Sequence, residues 1–339
     1  MTHRDVRSDK FTSLDHITAS YGTLLAHTDR DPAVLGDDWG YHLVQPVSAE
    51  WPLACLRITR RPPEATLRFW YGLGVTAVRH ASGARAWTTI RRLLDNGQPA
   101  IVPVDAFHLP HSAHHRMSHH AHRVVLTGYA GSEVTVVDSH RENPFAGAVR
   151  VDTLTAAMGS DELAAHRDEP DWRHCVISVL EPPEPDTTPL AARPAQLAAA
   201  LDRNTRAAVP GDPRRTARTG RSLLRECADA LRVDAPALAG LSPEGLAETR
   251  AWCTAVASQR ALNARFLRVA AEALGRPGLH DCAERAERLA RRWCTAGSYL
   301  YVQLPRKRTA AVLGVAGQLE EIAALEALWC GEIRRALAG

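Results

Sequence analysis

The chain has 339 residues, of which 45% are apolar and 23% are charged. This length suggests two domains, and the composition is that of ordinary globular proteins. The 41 basic and 38 acidic residues give a net charge of only +3, which does not support a general nucleic-acid-binding role. Seven widely spaced cysteines without a CxxC pair argue against a disulfide framework or a zinc knuckle.

The first ten residues are polar and lack the apolar core of a signal peptide. No apolar run reaches the roughly 18 residues that a membrane span requires. We therefore expect a cytoplasmic protein that has no membrane partner.

Helix and strand patterns alternate in the first part of the chain. Helical periodicity covers 13–27 and 84–95. Strand length and a high content of Val and Ile mark four further segments: 101–105, 123–130, 133–138 and 175–180. A short turn at 129–132 joins two of them into a β-hairpin. The sequence thus predicts an α+β domain over residues 1–182.

The segment 181–195 has five prolines in fifteen residues and predicts an interdomain linker, assigned to 183–195. Beyond it the strand pattern disappears. Apolar residues spaced three and four apart indicate helices at 221–232, 243–274, 279–301 and 318–337. The second domain, 196–339, is predicted to be all helical.

A histidine-rich segment, residues 108–122, has seven histidines in fifteen positions. Three interpretations stay open: a transition-metal site, a general base among uninvolved neighbours, or a solvated loop without chemistry. The segment contains no Cys, Asp or Glu, and HEXXH is absent. We expect neither a functional metal nor a cofactor.

His122 stands apart from the other histidines because it immediately precedes a predicted strand. The hairpin returns and ends at Asp138. Antiparallel pairing brings the start of the first strand close to the end of the second, so the two side chains can meet. A carboxylate beside an imidazole fixes its tautomer and stabilises the imidazolium. The pair is a candidate catalytic dyad, and a strand-end histidine beside a turn-forming aspartate is the alternative.

The pattern HHAHRVVLTGY at 119–129, followed by VTVVD at 134–138, resembles the His–strand–turn–strand–Asp block of papain-like cysteine peptidases. Together with PVD at 103–105 and LP at 109–110, it more narrowly resembles the N-terminal domain of the butirosin biosynthesis protein H family.

The helical half is also similar to that family. NARFL at 263–267 and AAEA at 270–273 resemble the C-terminal helical domain that is fused to the family's first domain. The resemblance therefore implies a papain-like domain followed by an all-α helical domain.

The founding member of the family moves an aminoacyl group from a carrier-protein thioester to an amine of an aminoglycoside. The resemblance implies acyl transfer in specialised metabolism, with a small acyl or amine substrate and an acyl carrier protein as a partner. It also implies substrate contacts by four residues: His16, Ile17, Asp105 and His119.

The family places a Cys nucleophile at the start of its first long helix, where this chain has DHITAS at 15–20. Ile17 stands in place of the thiol. Cys55 is nearest in sequence, but its surroundings predict a buried strand. Ser20, one helical turn beyond Ile17, is the candidate nucleophile that remains.

Without the thiol, a covalent acyl-enzyme is not expected, and three functions remain. The first is acyl transfer or cyclisation, in which His122 assists direct attack by the substrate. The second is a catalytically dead protein that binds a carrier protein or a small molecule. The third is a hydrolase that uses Ser20.

Overall fold

The computed structural model describes residues 16–39, 42–43, 56–57, 61–139, 144–164, 170–182, 184, 186–207, 220–233, 243–303 and 309–338. Over these residues the helices are α1 (His16–His27), α2 (Pro63–Tyr71), α3 (Gly83–Asp95), α4 (Val151–Met158), α5 (Pro194–Ala207), α6 (Gly220–Val233), α7 (Pro243–Leu274), α8 (Gly278–Gln303) and α9 (Thr309–Ala338). The strands are β1 (His42–Leu43), β2 (Leu56–Arg57), β3 (Gly74–Arg79), β4 (Ala100–Asp105), β5 (Ala121–Ala130), β6 (Glu133–Asp138), β7 (Phe145–Arg150) and β8 (Cys175–Leu180).

The chain divides into two compact units. The first contains residues 1–32 and 62–188, and the second contains 33–61 and 189–339. The first is α+β and the C-terminal part of the chain is mostly helical, as the sequence predicts. None of the helices over the described residues has an apolar stretch long enough to cross a bilayer.

The first unit is built on a six-stranded antiparallel sheet with the order β3-β8-β4-β5-β6-β7. The predicted hairpin is the pair β5–β6. Its turn contains Gly131, whose φ of 58° is a conformation that glycine adopts without steric cost. Val125 pairs with Val137, and the register shifts between Leu126 and Gly128. This pairing fixes where the two ends of the hairpin lie.

Alternating residues of the central strands cover both faces of the sheet. Val102 and Val104 of β4 belong to a core that also includes residues of α3 and α4. Ile101, which alternates with them, is buried as well but points to the opposite face. A strand buried on both faces has a nearly continuous apolar sequence, and this explains the Val- and Ile-rich segments.

Helix α1 packs against β4 and β5. Ala19, Leu24 and Leu25 supply its buried apolar contacts. The hydroxyl of Thr23 forms a 2.7 Å hydrogen bond with that of Ser139, the residue directly after β6. The helix is thereby tied to the end of the hairpin.

The second unit contains a short segment from the first half of the chain. Side-chain amides of its helices bind backbone carbonyl groups there: Gln259 donates to Asp38 at 2.6 Å, and Asn263 donates to Gly36 at 2.9 Å. Burial of these carbonyl groups requires such donors, because an unpaired buried carbonyl is costly. Residues 33–61 thus group with the helical half, whereas all of 1–182 is predicted from the sequence to form one domain. The second unit also contains the short antiparallel pair β1–β2, so it is not entirely helical.

The predicted linker 183–195 needs one correction at its end. Residues Leu190–Ala192 form a 3-10 turn, and α5 begins at Pro194. Proline is tolerated in the first turn of a helix because no partner for its N–H is lost there. Residues 183 and 185 lie outside the described residues.

Candidate functional site

His122 and Asp138 meet at one end of the β5–β6 hairpin. Since Val125 pairs with Val137, Asp138 lies opposite Val124 and diagonal to His122 on the same face. His122 Nε2 lies 2.9 Å from Asp138 Oδ2, and both side chains are buried. The predicted proximity of the two residues is confirmed. Their catalytic role stays a prediction.

A third side chain joins this pair. His111, from the loop between β4 and β5, has its Nε2 3.2 Å from the same oxygen, Asp138 Oδ2. Its ring stacks on Phe145 of β7, with ring centroids 3.9 Å apart and planes 3° from parallel. Sequence reasoning did not single out His111 among the histidines of the segment. No local periodicity distinguishes it, because the loop is a series of turns.

The hydrogen bonds to Asp138 determine which ring nitrogen of each histidine carries the proton. A carboxylate is only an acceptor, so each Nε2 that faces Asp138 carries the proton. In its neutral form, His122 then has its basic lone pair on Nδ1. The carboxylate also stabilises the imidazolium that forms when Nδ1 takes a proton. A fixed tautomer and an adjacent carboxylate are two of the requirements of a general base.

Asp105 organises the histidine-rich loop from the end of β4. Its Oδ1 accepts from the backbone N–H groups of Phe107 at 3.0 Å and His120 at 3.1 Å. Its Oδ2 accepts from Ser160 Oγ and from His119 Nδ1, each at 2.6 Å. The carboxylate thus holds together the strand end, the loop and the segment after α4.

Burial opposes the ionisation of Asp105. The hydrogen bonds from Ser160, His119 and the two backbone N–H groups outweigh that effect and lower the pKa to about 2. These four bonds use the normal acceptor capacity of a carboxylate. The structure therefore favours an indirect role for Asp105, as the anchor of the loop, and its contact with substrate stays a prediction.

His119 projects from this anchor. Its side chain is 55% exposed, and its ring stacks on Phe107 with centroids 4.3 Å apart. Because Nδ1 donates to Asp105, the exposed edge of the neutral ring presents Nε2 as an acceptor. This geometry is compatible with the predicted contact between His119 and a substrate, which remains untested.

Of the predicted site residues of α1, those whose side chains the structure describes form no hydrogen bond with His122 or Asp138. His16 begins the helix, and its side chain lies outside the described part of the chain; Ile17 is half-buried. Ser20 is buried, and its hydroxyl donates to the carbonyl of Ile17 at 2.8 Å. This is the usual bond of a serine inside a helix. The role of Ser20 as a nucleophile stays a prediction.

Cys175 on β8 is the one cysteine among the described residues of the first unit. Burial raises the pKa of its thiol, an effect that the charge of Arg123 partly offsets. A raised pKa disfavours the reactive thiolate. Cys55 lies outside the described residues.

Within the described ranges, no group of three or more His, Cys, Asp or Glu side chains is arranged to hold a metal ion. That catalysis needs no metal remains a prediction.

A search of curated proteins finds no match to the chain. A family model, described as Butirosin biosynthesis protein H, N-terminal, matches residues 17–139. The matched segment starts in the first turn of α1 and ends one residue after Asp138, so it contains both carboxylates and their histidine partners, whereas Ser160 lies outside it. The match indicates a biosynthetic role, in antibiotic biosynthesis. Over residues 17–139, this chain is similar to the N-terminal domain of the butirosin biosynthesis protein H family.

Proposed function

We propose that the protein catalyses acyl transfer or cyclisation in specialised metabolism, on an acyl or aminoacyl substrate presented as a thioester of a carrier protein. The observation that carries this proposal is the hydrogen bond between His122 and Asp138, within the segment that matches the family. A helix packed against a sheet whose adjacent strands carry a histidine and an aspartate also supports a papain-like fold for the first unit.

The proposed step is direct attack by the substrate amine. His122 Nδ1 removes a proton from the amine as its nitrogen forms a bond to the thioester carbonyl carbon. The carbon–sulfur bond then breaks, and the leaving thiolate takes the proton from His122. When the amine and the thioester belong to one molecule, the same step gives a cyclic amide. Holding the two groups together supplies a large part of the rate.

Two features favour direct attack over an acyl-enzyme. Ile17, at the position where the family has its thiol, carries no nucleophilic atom. The Ser20 hydroxyl donates to a carbonyl group of its own helix, and no histidine or carboxylate of the described residues forms a hydrogen bond with it. The alternatives are a protein that only binds its ligand and a hydrolase that uses Ser20.

The test incubates the full chain with aminoacyl N-acetylcysteamine thioesters and an amine acceptor, and follows the product and the intact-protein mass. Amide product without a mass adduct supports direct attack. An adduct on the peptide that contains Ser20 supports the hydrolase. Saturable binding without turnover supports the binding protein. His122→Gln should abolish product formation, whereas His115→Gln, in the loop that precedes β5, serves as the control.

A further inference from the structure

One oxygen of Asp138 receives hydrogen bonds from two imidazoles on different parts of the fold. His122 approaches from the start of β5 at 2.9 Å, and His111 approaches from the loop at 3.2 Å. All three side chains are buried, with exposed fractions of 5–7%. Asp138 Oδ2 orients His122, the candidate base. The question is what the second hydrogen bond, from His111, does to that oxygen.

The second donor restricts the movement of the carboxylate. A carboxylate with a single partner can rotate about its side-chain bonds, and its hydrogen bond to His122 Nε2 is then bent or lost in part of the population. Two donors from opposite elements allow far fewer orientations. The stack on Phe145 fixes the plane of the His111 ring, and therefore the direction from which its Nε2 approaches Asp138.

We propose that His111 is a positioning residue: it holds the Asp138 carboxylate, and through it the imidazole of His122, in the orientation that proton transfer requires. The inference rests on the proposed role of His122 as a base. Small misplacements at such sites cost up to roughly 100-fold in rate. The outer partners of metal-bound histidines contribute about 10- to 100-fold, and we expect an effect of similar size for a histidine that acts as a base.

Two substitutions distinguish the positioning role of His111 from a role in packing alone, because the two roles predict opposite effects on activity. His111→Phe keeps an aromatic ring that can stack on Phe145 but removes the N–H donor. His111→Gln removes the ring but places an amide N–H close to the position of Nε2. If His111 only packs on Phe145, the Phe variant is tolerated and the Gln variant fails. If it positions Asp138, the Gln variant is tolerated and the Phe variant fails.

The experiment measures two properties of the full-length variants. Long-range 1H–15N spectra of histidine-labelled protein report the tautomer of His122, whose signals are assigned by their loss in His122→Gln. Steady-state kinetics with the aminoacyl thioester report kcat and KM. For His111→Phe we expect a mixture of His122 tautomers and a 10- to 100-fold lower kcat at nearly unchanged KM. For His111→Gln we expect values within a few-fold of the parent protein.

The spectra separate failure of this inference from failure of the proposed function. A His122 tautomer that is unchanged in His111→Phe would overturn the positioning role, whatever the activity. A tautomer that changes in His111→Phe and is restored in His111→Gln would support it, even if no thioester is turned over. The matched variant His115→Phe should change neither the spectrum of His122 nor kcat.

Discussion

The hydroxyl groups of Thr23 and Ser139 lie 2.7 Å apart and join helix α1 to the residue that follows Asp138. Both side chains are buried. This contact ties α1 to the end of the strand that carries the carboxylate. The position of α1 is therefore coupled to that of the residue next to Asp138.

Thr23→Val tests this connection, because valine keeps the shape of threonine without its hydroxyl. The change leaves the Ser139 hydroxyl buried without this partner, so we expect the free energy of unfolding to fall by about 1–3 kcal/mol. Urea titration of Thr23→Val, Ser139→Ala and the double variant should give a coupling energy of about 1 kcal/mol. Thr88→Val, an exposed helical threonine, is the control and should change stability by less than about 0.5 kcal/mol. Strict additivity of the two changes would contradict the connection.

Asp138→Asn tests the dyad. The amide presents an N–H group to imidazoles that need an acceptor, so His122 loses the partner that fixes its tautomer and stabilises its cation. We expect kcat to fall by about 10²–10⁴-fold in amide formation from an aminoacyl thioester. Asp152→Asn, an exposed carboxylate paired with Arg150, should leave the rate unchanged. Parent-like kcat in Asp138→Asn would remove the aspartate from the mechanism.

The sequence predicts the centre of the sheet better than its edges. Strands β4, β5, β6 and β8 are found because burial on both faces requires Val- and Ile-rich segments. Strands β3 and β7 lie at the two edges of the sheet and are mostly half-buried or exposed. Their sequences, GVTAVR and FAGAVR, therefore lack a strong pattern of apolar residues, and neither segment is predicted to be a strand.

Within the site, residues that meet through local pairing could be predicted from the sequence, whereas residues that meet through distant contacts could not. His122 and Asp138 are 16 residues apart within one hairpin, so local pairing is enough to bring them together. His111 reaches the same carboxylate through a loop whose path depends on Asp105 and Ser160, which are far apart in sequence. No periodicity encodes that path. The grouping of 33–61 with the helical half also depends on distant contacts, from Gln259 and Asn263.

Alkylation should not inactivate the protein. Burial raises the pKa of Cys175, and it raises those of Cys253 and Cys282 to about 12 and about 11. Because the thiolate is the reactive form, iodoacetamide at pH 8 should modify these residues slowly in the folded protein. Mass spectrometry should show rapid modification of all seven cysteines only in urea. Rapid, stoichiometric inactivation that substrate prevents would instead identify a catalytic thiol, and Cys55 would be the first position to examine.

Because of the Asp105 carboxylate, the free energy of unfolding of the first unit should decrease as the pH falls into the acid range. Its pKa is about 2 in the folded protein, below the ordinary value of 3.8 that we expect in the unfolded chain. A depressed pKa means that the folded state favours the ionised form. The contribution to stability is therefore complete above about pH 4 and is lost as the pH falls from there towards 2.

Asp105→Asn removes this dependence. The amide cannot accept at both positions, so donors such as Ser160 and His119 lose a charged partner. We expect the free energy of unfolding at pH 7 to fall by about 2–3 kcal/mol. The difference between parent and variant should shrink at pH 3, as urea titration at the two pH values will show. Hydrogen exchange should at the same time become faster at the backbone N–H groups of Phe107 and His120, which keep only a neutral amide oxygen as acceptor. Equal destabilisation at both pH values would show that the carboxylate charge does not hold the loop.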